Sequence, residues 1–166
     1  MPQMRVRRPL AIFALLLAAL APGSATSTGA PTSLESRPEW PVLDKYAGKV
    51  VLVDFWASWC EPCLRSFPWM NDLQRRHGDA GLVVVAVNLD QERALAEAFL
   101  KKTPANFRLE FDAAGDLARR FGVQAMPTSF LIDRRGKVRI RHAGFRDKQR
   151  AERERQIEDL LKESPT

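Results

Sequence analysis

The chain has 166 residues, 45% of them hydrophobic and 28% charged, and a formal net charge of +6. This length suits one domain with a real core, and the composition is that of an ordinary globular protein. Residues 1–25 carry three arginines and no acids, so the remainder has an excess of only +3. That excess is too small to indicate nucleic-acid binding.

The first 25 residues are predicted to be a secretory signal peptide. Three arginines precede an apolar run from Leu10 to Ala21, and small residues follow at Gly23-Ser24-Ala25, where cleavage is expected. A run of this length is short for a spanning helix, which needs about 20 residues. The sequence therefore predicts export to the periplasm, and an uncleaved membrane anchor is the alternative.

Residues 26–39 are rich in Ser, Thr, Pro and Gly and contain almost nothing to bury. We interpret them as a flexible leader that precedes the folded domain. The domain itself is predicted to span residues 40–163.

From residue 40 onward, apolar runs alternate with helical patterns. Two continuous β-branched runs have the character of strands buried on both faces, and Arg134-Arg135-Gly136 predicts a late hairpin. A strand–helix–strand order followed by a hairpin predicts an α/β fold with a central mixed sheet and helices on both faces. In chain order the predicted elements are strand Val50–Trp56, helix Cys60–His77, strand Leu82–Val87, helix Gln91–Lys102, a strand near Phe107–Phe111, helix Ala113–Phe121, strands Ser129–Asp133 and Lys137–Ala143, and helix Asp147–Lys162.

The only two cysteines, Cys60 and Cys63, lie in the segment WCEPC. A pair of cysteines in an exported protein usually forms a structural disulfide. A loop with two intervening residues restricts the unfolded chain very little, so we interpret the pair as reactive, with an inert crosslink as the alternative. Zinc needs about four ligands, and the chain adds only His77 and His142, both expected at the surface, so no metal site is predicted.

The expected position of the pair at the start of a helix assigns different roles to the two thiols. Unsatisfied amides and the positive end of the helix dipole favour a thiolate at Cys60. We expect Cys60 to be the exposed nucleophile and Cys63, one turn along, to be the buried resolving thiol. Glu61 and Pro62 occupy the first turn and would tune the pair, and the missing amide hydrogen of Pro62 costs nothing there.

The segment VLVDFWASWCEPC resembles the active-site segment of the thioredoxin superfamily, and Pro68 and Met126-Pro127-Thr128 agree with it. Together with the export signal, GVQAMPTSFLIDRRGKV is similar to the TlpA/ResA-like branch of exported thiol–disulfide oxidoreductases. Cys60 and Pro127 lie 67 positions apart, which leaves room for an extra helix and strand near 91–111, an insertion typical of that branch. The resemblance covers about residues 40–163 and implies a thioredoxin-like fold.

The resemblance also implies an activity. Such a protein exchanges thiols with protein disulfides through its cysteine pair, needs no cofactor or metal, and is recharged by a membrane electron donor of the DsbD/CcdA type. Pro127 would follow a cis peptide bond and face the disulfide, and Met126 would offer its backbone to a substrate. Thr128 would lie beside them and Trp59 beside the reactive thiol. Ordinary loop packing is the alternative for Met126 and Thr128.

Asp54 is the single carboxylate in the first apolar strand. Alternation places it on one face with Leu52 and Trp56, where a charged carboxylate is costly unless it is paired or protonated. ResA-like proteins usually have a glutamate three positions after the second cysteine, where this chain has Ser66. Thioredoxins have an acid six positions before the first cysteine. Our hypothesis is that Asp54 accepts the proton of Cys63 in its place; the alternative is a solvated or capped acid.

The predicted function is that of a periplasmic protein-disulfide reductase. One alternative is a reductase dedicated to cytochrome c maturation, although that subgroup usually has a glutamate where this chain has Thr128. A second alternative is a non-enzymatic copper chaperone of the Sco type. It would need a longer cysteine spacing and a histidine near the late hairpin, for which His142 is a weak candidate.

Overall fold

The computed structural model describes residues 40–164. The predicted signal peptide at 1–25 and the predicted leader at 26–39 lie outside this range. Within it, no helix combines the length and apolar character needed to cross a bilayer.

The described chain alternates strands and helices up to residue 120 and then forms a hairpin and a last helix. A short 3-10 helix over Pro41–Tyr46 precedes the first strand, and another over Asp147–Gln149 precedes the last helix. The elements are β1 (Val50–Trp56), α1 (Glu61–His77), β2 (Leu82–Asn88), α2 (Arg93–Lys102), β3 (Arg108–Phe111), α3 (Asp116–Arg120), β4 (Thr128–Ile132), β5 (Val138–Ala143) and α4 (Arg150–Lys162).

The five strands form one mixed sheet in the order β3-β2-β1-β4-β5. β1 is parallel to β2, and β2 is parallel to β3. β4 is antiparallel to β1, and β5 is antiparallel to β4. β1 is the central strand and all seven of its residues are buried, which explains its continuous apolar sequence. Its carboxyl end leads directly to the cysteines.

Each face of the sheet has its own apolar core. Leu52 and Trp56 of β1 face a core that contains buried residues of α1, α2 and α4. Val53 and Phe55 face the opposite core, where α3 and the first 3-10 helix pack. The predicted α/β fold, with a mixed sheet, helices on both faces and an inserted helix and strand near 91–111, is confirmed.

The predicted third helix is wrong in its first part. A helix was expected from Ala113 to Phe121, but α3 begins only at Asp116. Gly115 has a φ of 69°, in the left-handed region that glycine adopts easily, and it forms part of a turn rather than of a helix. The carboxylate of Asp112 accepts a hydrogen bond from Ala118 N–H at 2.9 Å across this turn. Both ends of β1 are as predicted, and the remaining boundaries agree with the predictions or differ by at most three residues.

Arg134, at the turn between β4 and β5, connects distant parts of the chain. Its Nη1 donates to the carbonyl of Gly48 at 2.8 Å, just before β1. Its Nη2 donates to the carbonyls of Ala80 at 3.3 Å and Leu161 at 2.9 Å. The guanidinium therefore joins the start of β1, the loop before β2 and the last turn of α4.

Candidate active site

The two cysteines form a disulfide at the start of α1. Their sulfur atoms are 2.10 Å apart and their Cα atoms 5.3 Å apart. Cys60 is the N-cap residue and has an extended backbone, and its N–H donates to Ala57 O at 3.0 Å. Its own carbonyl accepts a hydrogen bond from Cys63 N–H at 3.0 Å. Cys60 therefore lies at the positive end of the helix dipole, as the sequence predicted.

The expectation that Cys60 is exposed is wrong for this oxidised state. Only 4% of Cys60 is accessible, and Cys63 is fully buried. Since the disulfide joins the Cys60 sulfur to the inaccessible Cys63 sulfur, it holds Cys60 against the core that contains both residues. Cys60 remains the more accessible of the two, which is the order that the predicted roles require.

The neighbouring side chains of the segment differ in exposure. Trp59 is 71% exposed, so it has no packing role in the core, whereas Trp56 is fully buried below the site. Glu61 points to solvent and pairs with Arg65 at 3.6 Å. Pro62 lies in the first turn of α1, where the missing amide hydrogen is tolerated. Trp59 therefore presents an apolar ring at the surface directly before Cys60 in the chain.

The peptide bond between Met126 and Pro127 is cis, the geometry that the resemblance implied. Met126 packs against the core that contains the two cysteines. Thr128 is fully buried, and its hydroxyl donates to Ala125 O at 2.6 Å. The Thr128 side chain thus closes its own loop, and its contact with a substrate stays a prediction. Pro127 O accepts a hydrogen bond from Gly144 N–H at 2.8 Å, which fixes the loop to the end of β5.

Asp54 is buried in the sheet, with 4% of its surface accessible. Its Oδ2 is buried and has no hydrogen-bond partner among residues 40–164. Burial raises the pKa of Asp54 from 3.8 to about 8, and the positive charge of Arg153 lowers it in part. The alternative of a solvated acid is therefore wrong, and Asp54 is an acid that titrates near neutral pH on the face of the sheet covered by α1.

Ser66 stands where the resemblance would place a glutamate. It is buried, and its hydroxyl donates to the carbonyl of Cys63 at 3.1 Å. This hydrogen bond joins the Ser66 side chain to the helix backbone at Cys63, but serine has no carboxylate that could accept a proton. Asp54 is thus a buried acid on the side of the sheet that α1 covers.

His142 was expected at the surface, and this expectation is wrong. The residue is half-buried on the same face of β5 as Ile140, which packs against the core below α4. Burial lowers the pKa of His142 to about 4, and the positive charge of Arg153 lowers it further. His77 lies at the last turn of α1, where its Nε2 is 3.1 Å from Nη1 of Arg76.

Asp90 is a buried carboxylate, not predicted from the sequence, that supports the turn before Cys60. Both oxygens of Asp90 accept from the backbone N–H of Ser58, at 2.9 and 3.2 Å, and Oδ1 also accepts from its hydroxyl at 2.9 Å. Asn88 Nδ2 donates to Asp90 Oδ2 at 2.7 Å. The available signal was an acid three residues after the predicted strand Leu82–Val87, which the structure shows to run parallel beside β1.

Replacing Asp90 with Asn is expected to lower the free energy of unfolding by about 2 kcal/mol. An amide keeps one acceptor, and its NH₂ group then faces donors of Ser58 or Asn88. Urea unfolding of the oxidised protein at pH 7 measures the loss. Asp79→Asn removes an exposed acid and is the matched control, with an expected change within about 0.5 kcal/mol. Equal losses in the two variants would contradict this role of Asp90.

The sequence is similar to those of known thiol-disulfide oxidoreductases. The profile of the Redoxin family matches residues 28–161. Thiol-disulfide oxidoreductase ResA of Geobacillus thermodenitrificans is 35% identical over 121 residues, which cover 73% of this chain and 68% of that protein. ResA of Bacillus thuringiensis subsp. konkukian is 33% identical over 120 residues, or 72% of this chain. The matched part spans 66% of that relative, just under two thirds of its length.

Solved structures show the same fold. A crystal structure from Chlorobium tepidum, of a protein named as a thiol:disulfide interchange protein DsbE, has a TM-score of 0.71 and 50% identity. The match covers 72% of this chain and 84% of that one. The exposed lipoprotein thioredoxin Etrx1 of Streptococcus pneumoniae has a TM-score of 0.63 and 31% identity over 71% of this chain and 90% of its own. The chain therefore belongs to the Redoxin family, in the TlpA/ResA-like branch of the thioredoxin superfamily.

Proposed function

We propose that this protein is a periplasmic thiol–disulfide oxidoreductase that reduces protein disulfides through Cys60 and Cys63. The observation that carries the proposal is the disulfide at the start of α1, on the face of the sheet that also holds the buried acid Asp54. The relatives named thiol-disulfide oxidoreductase and thiol:disulfide interchange protein support it.

The reaction follows from the different accessibility of the two sulfurs. In the reduced protein the Cys60 thiolate attacks one sulfur of a substrate disulfide, and the other substrate sulfur leaves as a thiolate that takes up a proton. Cys63 then attacks the Cys60 sulfur of the mixed disulfide, and Asp54 accepts the proton of the Cys63 thiol. The second substrate thiol is released, and the two electrons of the dithiol have passed to the substrate. The product form of the protein is the disulfide seen here.

The docking surface of the substrate is formed by residues around the disulfide. Trp59 offers an exposed ring, and the backbone of Met126 before the cis bond is available to an extended peptide. Recognition through backbone hydrogen bonds and one aromatic ring favours unfolded or extended segments over one particular folded partner. Reduced protein is regenerated by a membrane electron donor of the DsbD/CcdA type.

Reduction of insulin disulfides in the presence of dithiothreitol tests the activity. The wild type is expected to accelerate precipitation of the insulin chains, and Cys60→Ser is expected to reduce the rate to that of dithiothreitol alone. Cys63→Ser keeps the nucleophile but lacks the resolving thiol, so it should accumulate mixed disulfides through Cys60. Its matched control is Cys60→Ser, which retains only the buried cysteine and should trap nothing. Equal trapping by the two variants, or a wild type without activity, would overturn the proposal.

The compartment and the partners are tested in the native host. After expression of the full-length sequence, the protein is expected in the periplasmic fraction, and cleavage after Ala25 would give it the mass of a chain that begins at Thr26. Partners captured by Cys63→Ser and identified by mass spectrometry distinguish a general reductase from one dedicated to cytochrome c maturation. A capture restricted to apocytochrome c and its maturation factors would favour the dedicated reductase.

A further inference from the structure

Arg153 is a buried cation on the face of α4 that packs against the sheet. The other buried residues of α4 are the apolar Ile157 and Leu160, and only 5% of Arg153 is accessible. A buried charge is unfavourable unless a partner compensates it. Nη2 of Arg153 donates to Gly144 O at 2.7 Å, and the guanidinium lies 5.6 Å from the ring centre of Phe145. Nη2 also lies 3.5 Å from Gln149 Oε1. None of these partners carries a negative charge.

The sheet below α4 presents a row of polar side chains. Strand pairing places Asp54 opposite Ser129 and Ser129 opposite His142. Residues directly opposite each other project from the same face of a sheet. Leu52, Leu131 and Ile140, which form the next row on this face, all pack in the core shared with α4. Asp54, Ser129 and His142 therefore form a polar row across β1, β4 and β5 on the side where Arg153 is buried.

The charge of Arg153 acts on both titratable members of this row. It lowers the pKa of Asp54 against the larger effect of burial, and it lowers the pKa of His142 in the same direction as burial. Asp54 in turn raises the pKa of Arg153, which burial lowers. His142 has a pKa of about 4 and is neutral at pH 7. The opposing residue of β2 is Ala86, and α1 contributes the disulfide, so Arg153 is the charge that faces Asp54.

We propose that Arg153 is a positioning residue for the proton transfer at Asp54. Its buried positive charge stabilises the ionised acid, which is the form that can accept the proton of Cys63. Without that charge the pKa of Asp54 would be higher still, so a smaller fraction of the acid would be ionised near neutral pH and resolution would slow. The role of Arg153 in proton transfer rests on the proposed function, but its effect on the ionisation of Asp54 does not depend on disulfide exchange.

Arg153 also has a structural contact that a test must separate from its charge. The carbonyl of Gly144 accepts from Arg153, and the N–H of Gly144 donates to Pro127 O at 2.8 Å. Loss of the side chain could therefore displace the loop that contains the cis bond. Arg153→Lys keeps a charged donor, whereas Arg153→Gln keeps a donor for Gly144 and removes the charge.

Titration of the Asp54 carboxyl carbon by NMR in the oxidised protein tests the proposal, because the cysteines of a disulfide do not titrate. We expect Arg153→Gln to raise the midpoint by at least about one pH unit and Arg153→Lys to leave it near the wild-type value. His142→Gln is the matched control on the same polar row and should not shift the midpoint, since His142 is already neutral there. An unchanged midpoint in Arg153→Gln, or an equal shift in His142→Gln, would overturn the proposal.

Two further measurements keep the inference testable if Arg153→Gln does not fold. In the wild type, the ¹⁵Nε resonance of Arg153 should move with the same midpoint as the Asp54 carboxyl, and a resonance that does not move would overturn the proposal. In the exchange assay, Arg153→Lys should retain the wild-type pH profile, and an upward shift of about one pH unit would also overturn it. A wild type without exchange activity would refute the proposed function and leave the carboxyl titration as the test of Arg153.

Discussion

Replacing Asp54 with Asn is expected to raise the free energy of unfolding of the oxidised protein by about 3 kcal/mol at pH 7. Each pH unit between the pKa of Asp54 in the unfolded chain and in the folded protein corresponds to about 1.4 kcal/mol. Burial raises that pKa from 3.8 to about 8. The expected gain is smaller than the full difference because the Asn amide must also be buried without a complete set of partners.

The sign of this effect follows from proton uptake. An unfolded chain loses the Asp54 proton near pH 3.8, whereas the folded protein keeps it until about pH 8. Between these values the folded state binds more protons, so its stability falls as the pH rises. The stability associated with neutral Asp54 is thus complete below pH 3.8 and is lost as the pH rises through 8. Asparagine does not ionise and lacks this dependence.

Urea unfolding at pH 4.5 and pH 7 measures the prediction. The advantage of Asp54→Asn should shrink to below about 1 kcal/mol at pH 4.5, because the cost of keeping Asp54 neutral grows by only about 1.4 kcal/mol for each pH unit above its unfolded pKa of 3.8. Asp79→Asn, which replaces an exposed acid, is the control and should behave as the wild type at both values. A constant difference between the wild type and Asp54→Asn would contradict a raised pKa.

The same variant should exchange disulfides more slowly near neutral pH although it is more stable. If Asp54 accepts the proton of Cys63, its loss affects the resolution step and not the fold. The opposite directions of the two effects separate a functional role from a structural one. An unchanged exchange rate in Asp54→Asn would refute the assignment of Asp54 as proton acceptor.

Replacing Phe67 with Ala is expected to lower the free energy of unfolding by about 4 kcal/mol and the melting temperature by more than about 10 °C. Phe67 is fully buried on α1, and its ring centre lies 4.9 Å from that of Trp56. The rings of Phe99 and Phe107 lie 5.0 and 5.3 Å away. These contacts connect α1 to β1 and to the inserted segment, so the cavity would affect all three.

Thermal unfolding and urea unfolding at pH 7 measure the loss. Phe111→Ala is the matched control, because this ring lies on the edge strand β3, is 36% exposed and contacts Arg93 at 4.1 Å. We expect that variant to lose less than about 1.5 kcal/mol. If the two losses were similar, the aromatic cluster around Phe67 would not be the contact that stabilises the insertion.

The fold was predictable where the apolar pattern has one interpretation. β1 was predicted with its observed ends because a continuous β-branched run is typical of a strand buried on both faces. The start of α3 was not predictable in this way, because Ala113 is compatible with a helix and the left-handed backbone of Gly115 depends on the turn around Asp112. Helix propensity is a weak indicator when side chains bond to the backbone across a turn.

The site was predictable from local spacing and not from contacts between distant segments. The spacing of Cys60 and Cys63 and the apolar surroundings of Asp54 are visible in one stretch of sequence. Asp90, which accepts a hydrogen bond from Ser58, lies 32 positions after that residue. Arg153, whose charge lowers the pKa of Asp54, lies 99 positions after Asp54. α4 contains four arginines or lysines; Arg153 lies four and seven positions before the buried Ile157 and Leu160, so the helical period places it on their face, but a charged residue is not expected to be buried there. Such roles depend on strand pairing and helix packing.

The three hydrogen bonds of Arg134 also determine at which end of the sheet the last turn of α4 lies. β1 runs from the Gly48 side, where Arg134 is bound, to the side of the cysteines, and seven strand residues span roughly 20 Å. Because Arg134 also binds Leu161, the last turn of α4 lies at the far end of the sheet from the disulfide. A fluorophore or an affinity tag attached after residue 164 would therefore be joined away from the docking surface. Protein immobilised in this way would present Cys60 and Trp59 to the solution.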